Sequence, residues 1–168
     1  METCHVLFGS NMGDKDRIFA EACHLIINRC GQVVRLSSSY ASEPWGFEAD
    51  EWFLNRVVVL ETELDPETLL QELLEIEREL GRVRHPDDVG YRSRPADLDI
   101  LYYGNRVICS DVLTVPHPRL HLRRFALEPM CEVAPELVHP VLHQTQLELL
   151  EHCPDTGVVR RVPSLENE

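Results

Sequence analysis

The chain has 168 residues, with 16 Lys and Arg against 29 Asp and Glu and a formal net charge of −13. That sign excludes a general nucleic-acid or anionic-membrane surface, since both partners demand a positive field. No apolar run approaches the roughly 20 residues of a membrane span, Met1-Glu2-Thr3-Cys4-His5 is no signal peptide, and the expectation is one cytoplasmic domain over residues 1–168, with 153–168 as a loosely ordered tail.

Residues 4–8 read as a short buried strand closed by Gly9-Ser10-Asn11. Ile18, Ala22, Leu25 and Ile26 then recur at helical spacing, and Gly31 stops that helix. Residues 32–40 and 53–62 read as strands. Between them the run Ser42-Glu43-Pro44-Trp45-Gly46-Phe47-Glu48-Ala49-Asp50 carries Pro, Gly and aromatics and suits a loop. Asp65 is a good N-cap, Pro66 fits the first helical position, and Leu69, Leu73, Ile76 and Leu80 predict a helix ending at Gly81. Residues 97–103 follow as a central strand, with Gly104-Asn105 as a hairpin turn and 106–109 as its partner. Helices are expected over 123–131 and about 144–152. The segment from Cys153 to the end carries no recognisable signal.

Residues 97–101, Asp97-Leu98-Asp99-Ile100-Leu101, hold the densest chemical information. Side chains on a strand alternate faces, so Asp97 and Asp99 project together while Leu98 and Ile100 point the other way. Two hard carboxylates a few ångströms apart suit Mg²⁺, which holds substrate phosphates through one or two such groups; the plain alternative is an edge strand with a solvated face. Lys15 is the sole lysine, whereas Arg78, Arg82, Arg84, Arg92, Arg94, Arg106, Arg119, Arg123 and Arg124 crowd one stretch. Arginine forks match phosphate oxygens, so such crowding in an acidic chain points to a small polyphosphate ligand. Gly9-Ser10-Asn11-Met12-Gly13-Asp14-Lys15 does not match G-x-x-x-x-G-K-[ST], so a nucleotide must be gripped by side chains. Glu77 falls on the apolar stripe of its helix and needs a partner there, either an arginine or the ligand itself. The six cysteines lack a C-x-x-C and read as reduced, mostly buried thiols. His-Pro-x-Leu-His occurs at His117 and again at His139, but proline after each first histidine spoils an i, i+4 zinc pair.

Gly9-Ser10-Asn11, Phe53-Leu54-Asn55, Glu77 with Gly81-Arg82-Val83-Arg84, Arg94-x-x-Asp97-Leu98-Asp99-Ile100-Leu101, and Val115-Pro116-His117-Pro118 followed by Arg123 and Phe125 occur in that order. Together they resemble the 6-hydroxymethyl-7,8-dihydropterin pyrophosphokinase family of folate biosynthesis, from about residue 5 to residue 140. The resemblance implies an α+β, ferredoxin-like α/β sandwich, with a mainly antiparallel sheet and helices on both faces. It implies transfer of the β,γ-pyrophosphoryl group of ATP to the hydroxymethyl group of the pterin, leaving AMP, with two Mg²⁺. By position, Asp97 and Asp99 would hold the metal, and Arg82 and Arg94 would be the catalytic arginines. Glu77, Arg84, Ile100 through its backbone, Thr114, His117 and Arg123 would contact ATP. Phe53 and Phe125 would sandwich the pterin, whose edge Asn55 and the backbone of Ser42, Pro44, Trp45 and Gly46 would read. The partners expected are these two substrates, without nucleic acid or membrane, on a monomer with a dimer as the alternative. Two other functions share these residues, a non-catalytic pterin or nucleotide module and a Mg²⁺-dependent phosphohydrolase.

Overall fold

A computed structural model describes residues 1–11, 13–43, 52–81 and 96–163. The elements are β1 (Glu2–Ser10), α1 (Lys15–Arg29), β2 (Gln32–Leu36), β3 (Ser39–Ser42), β4 (Phe53–Thr62), α2 (Pro66–Gly81), β5 (Asp97–Tyr103), β6 (Ile108–Cys109), β7 (Thr114–Val115), a 3₁₀ turn (Leu120–Leu122), α3 (Arg124–Val133), α4 (Gln146–Glu151) and β8 (Val159–Val162). The main sheet runs β5-β1-β4-β3-β8, with β2 also on β4, and every pairing is antiparallel. Among the described residues no helix is long and apolar enough to cross a membrane.

Strand alternation divides the core into two layers. Cys4, Val6, Phe8, Val58, Leu60, Leu98 and Ile100 meet Phe19, Ala22 and Ile26 of α1 and Leu69, Leu73, Ile76 and Leu80 of α2. Leu7, Val57, Val59, Leu101 and Tyr102 meet Leu127 and Met130 of α3 and Leu149 of α4 on the other face. Helices therefore cover both faces, as the sandwich architecture requires. His5 pairs with Tyr102 but Val6 pairs with Ile100, so Leu101 is an extra residue in β5. This bulge lets the consecutive Leu101 and Tyr102 both enter the α3 and α4 layer.

The helix ends follow their local chemistry. Asp65 Oδ1 accepts the Thr68 N–H at 2.8 Å before α2, and Thr145 with Glu148 forms a reciprocal capping box before α4. Gly31 follows α1 where a Cβ would stand 2.2 Å from the Glu61 carbonyl oxygen, so only glycine fits that crossing.

Four expectations need correction. The strand expected over 32–40 is broken at Ser37-Ser38, because the Ser37 hydroxyl intrudes on the ladder, accepting the Val57 N–H at 2.8 Å and donating to the Ser38 carbonyl at 2.7 Å. β5 is not central: it ends the sheet order, and its apolar sequence reflects helices on both faces rather than strands on both sides. Its outer edge is covered instead, Leu98 N–H by Glu77 Oε2 at 2.7 Å and the Leu101 carbonyl by His117 N–H at 2.9 Å. The turn at Gly104-Asn105 forms, but β6 pairs with β7 and not with β5, since the chain at His117 occupies that edge. Finally, the segment after Cys153 contributes β8, paired with β3 from Ser39↔Val162 to Ser42↔Val159.

His5 is 6% exposed, and burial lowers its pKa from 6.5 to about 4. Its folded-state pKa lies below the unfolded one, so the unfolded chain takes up the proton first and stability falls as pH drops from 6.5 toward 4. Wild-type protein should lose about 2 kcal/mol more stability than His5→Leu between pH 6.5 and pH 5, read from urea midpoints. Equal losses in the two proteins would show that His5 does not titrate this way.

Candidate functional site

The α3 and α4 layer does not cover the whole sheet face. Beyond its edge lies a cleft of about 740 Å³, floored by Leu7 and Gly9 of β1, Asn55 of β4 and Asp97 and Asp99 of β5. Ser42, Glu43 and Phe53 border it from one side, and Arg119, Leu122, Arg123, Phe125 and Asp155 from the other. Cross-strand register builds this floor: Gly9 stands between Asp97 and Asn55, and Leu7 pairs with Asp99.

Asp97 and Asp99 both reach the cleft and both are half-buried, so the alternation read from D-x-D holds in three dimensions. Both residues have interaction partners within the chain. Among the described residues no group of three or more His, Cys, Asp or Glu side chains could hold a metal by itself. A pair of hard oxygen donors in an open cleft fits a Mg²⁺ ion that keeps water or phosphate in its remaining positions, rather than a closed protein cage.

Phe53 and Phe125 enter the same cleft from β4 and from the start of α3, both half-buried. The Arg123 guanidinium lies 5.6 Å from the Phe125 ring centroid, a cation–π distance that orders both side chains. Asn55 is 3% exposed, and its Nδ2 donates to Ser42 Oγ at 3.1 Å, which fixes the amide. An amide so held offers both a carbonyl acceptor and a remaining N–H donor to a heterocycle edge.

His117 is half-buried at the back of the arginine-rich rim. Burial, then the charges of Arg123 and Arg119, lower its pKa to about 4, so the imidazole is neutral near pH 7. Its Nδ1 accepts the Arg119 N–H at 3.1 Å, which assigns the ring proton to Nε2. The second His-Pro-x-Leu-His repeats this turn, with His139 Nδ1 accepting the Val141 N–H at 3.1 Å. The recurrence thus has a local cause: a histidine ring nitrogen closes a turn at the proline.

Seven of the expected site residues converge on the cleft: Ser42, Phe53, Asn55, Asp97, Asp99, Arg123 and Phe125. Glu77, Ile100, Thr114 and His117 do not line it. Glu77 holds the backbone of Leu98 and has a further interaction within the chain; Ile100 is buried in the α1 and α2 layer; Thr114 lies in β7. Pro44, Trp45, Gly46, Arg82, Arg84 and Arg94 lie outside the described residues. Sequence reasoning missed Leu7, Gly9, Glu43, Arg119, Leu122 and Asp155 as lining. Gly9 had a usable signal, because glycine inside a strand marks close approach: a Cβ there would stand 3.2 Å from Asn55 Oδ1. Filling this floor with Gly9→Val should weaken binding of a flat heterocycle by about tenfold or more, as read by calorimetry. Unchanged affinity in a folded variant would place the heterocycle elsewhere.

A family model described as 7,8-dihydro-6-hydroxymethylpterin-pyrophosphokinase matches residues 5–135. The chain is 40% identical over 141 residues to the 2-amino-4-hydroxy-6-hydroxymethyldihydropteridine pyrophosphokinase of Porphyromonas gingivalis, covering 83% of this chain and 95% of that protein. It is 37% identical over 161 residues to the protein of the same name from Methylorubrum extorquens, covering 95% and 99%. The folic acid synthesis protein fol1 of Pneumocystis carinii is 35% identical over 164 residues, which are 98% of this chain but 22% of that one. Among solved structures, wild-type HPPK-DHPS of Plasmodium falciparum superimposes with a TM-score of 0.73 at 15% identity, covering 89% of this chain and 44% of that one. This last likeness concerns the fold.

Proposed function

The chain belongs to the 7,8-dihydro-6-hydroxymethylpterin-pyrophosphokinase family and is an ATP-dependent pyrophosphokinase of folate biosynthesis, and we propose that the cleft floored by Gly9 is where the two substrates meet. The reaction moves the β,γ-pyrophosphoryl group of ATP to the hydroxymethyl oxygen of 6-hydroxymethyl-7,8-dihydropterin and leaves AMP. One observation carries this reading: the paired acids and the two phenyl rings border the same cleft, with Gly9 and Asn55 between them. A cleft that is acidic at one end and aromatic at the other suits a metal-bound polyphosphate beside a flat heterocycle.

Within that cleft Phe53 and Phe125 take the faces of the pterin ring, since a flat heterocycle stacks well on phenyl groups. Asn55, steadied by Ser42, reads the ring's donor and acceptor edge, and the backbone of Ser42, Pro44, Trp45 and Gly46 completes that recognition. Asp97 and Asp99 would hold two Mg²⁺, which screen the phosphate charge and polarise the transferred group when bound. Arg82 and Arg94 supply positive charge where negative charge grows, a donor role worth roughly 10²–10³ in rate. Arg84, Arg123 and neutral His117, donating from Nε2, hold the nucleotide, with Thr114, the Ile100 backbone and Glu77 behind them. Phosphoryl transfer asks little covalent work of a protein, so alignment of the hydroxyl with the β-phosphorus is what these side chains supply. A single domain over residues 1–168, acting as a monomer in the cytoplasm, fits the six unbridged cysteines and the six-stranded main sheet.

AMP should accumulate from ATP only when the hydroxymethyl-dihydropterin is present. Asp97→Ala and Asp99→Ala should each abolish this AMP while keeping the wild-type melting temperature within a few degrees. Turnover near wild type in either variant at saturating ATP and Mg²⁺ would remove the acids from the metal site, and AMP or phosphate release without pterin would favour a hydrolase.

A further inference from the structure

α3 begins without a cap of its own. Arg123 occupies the N-cap with φ −125° and ψ 105° and makes no side-chain capping bond. The N–H of Arg124 donates instead to Asp155 Oδ2 at 3.1 Å, from 31 positions further along the chain. The other oxygen, Oδ1, accepts the Gly157 N–H at 2.8 Å, so the carboxylate is held on both sides. Asp155 also lines the cleft beside Arg123 and Phe125.

The segment carrying Asp155 is fastened to the opposite wall. Val159 pairs with Ser42, the Glu43 N–H donates to the Val158 carbonyl at 3.3 Å, and the Arg160 guanidinium lies 5.4 Å from the Trp52 ring. Residues 155–160 thus tie the start of α3, which presents Phe125, to the strand ends that present Ser42 and Phe53. None of this segment falls within the residues 5–135 that carry the family match.

We infer that Asp155 is a positioning residue for pterin binding, supplying in trans along the chain the cap that α3 lacks and thereby setting where Arg123 and Phe125 stand across from Phe53. A side-chain carboxyl oxygen suits this place because it satisfies an orphan N–H at the start of the helix. The assignment presupposes that the pterin occupies the cleft.

Asp155→Ala and Asp155→Asn test it, each assayed for AMP formation and for pterin affinity by calorimetry well below its melting temperature. Asn keeps an acceptor oxygen and loses the charge. The alanine variant should raise the pterin Kd and KM by roughly fivefold, the cost of one helix cap, with kcat within about twofold of wild type. The asparagine variant should restore wild-type affinity. A lowered melting temperature with unchanged pterin affinity in Asp155→Ala would make the contact purely structural and overturn the inference. Loss of affinity in Asp155→Asn equal to that in Asp155→Ala would overturn it too, by showing that charge and not the cap is at work. Should the alanine variant not fold, asparagine decides alone: wild-type affinity supports the cap, and a loss above about threefold contradicts it. Absence of pterin-dependent AMP in the wild type would instead sink the reading of the reaction, independently of Asp155.

Discussion

The register between β1 and β5 is the constraint on which the site depends. Gly9 opposite Asp97 and Leu7 opposite Asp99 turn both acids toward the face shared with α3 and α4. On the far side of β1, the pairing of Gly9 with Asn55 sets the amide beside them. A slip of one residue would send the acids into the apolar layer with α1 and α2 and lift Leu98 and Ile100 into the cleft. The bulge at Leu101 confines that irregularity to the far end of β5, so the alternation over Asp97, Leu98, Asp99 and Ile100 stays regular where chemistry needs it.

An edge strand presents unpaired backbone groups, and those of β5 are covered from α2 and from the loop at His117. Glu77 ties Leu98 to α2, and the backbone of His117 ties Leu101 to the loop bearing Arg119 and Arg123. The acids and the arginine-bearing loop are therefore mounted on a common strand. A similar economy holds on the other wall, where Ser38 and Tyr40 of the β3 region bond Glu132 of α3 at 2.9 Å each. That clasp keeps the helix carrying Phe125 against the strand carrying Ser42. Hydrogen bonds from Ser38 and Tyr40 hold the Glu132 carboxyl below its usual range although burial alone would raise it, so it serves as a charged acceptor near neutral pH.

The legible parts of the chain were those governed by local periodicity. α2 was readable because Asp65, Pro66 and the Leu69-to-Leu80 stripe agree with one another. The shared face of Asp97 and Asp99 was readable because strand alternation is local. Six of the expected site residues that line the cleft, Phe53, Asn55, Asp97, Asp99, Arg123 and Phe125, came from ordered motifs, which encode the three-dimensional arrangement without revealing it. The rank of β5 in the sheet was not readable, since an apolar strand covered by helices on both faces resembles one flanked by strands. The break at Ser37 depends on a hydroxyl meeting Val57 across the sheet, and the bond of Glu77 to the Leu98 N–H joins two separate elements. Asp155 and β8 lie among polar residues whose significance arises only on contact with Arg124 and Ser42.

In the proposed reaction the acid end and the aromatic end of one cleft align an intact pyrophosphoryl group with a pterin hydroxyl. ATP labelled separately at its β- and γ-phosphorus, turned over with the hydroxymethyl-dihydropterin, tests this most directly. Both labels should appear together in the pterin product, with unlabelled AMP as the other product. Transfer of the γ label alone, leaving ADP, or release of either label as inorganic phosphate would contradict the account.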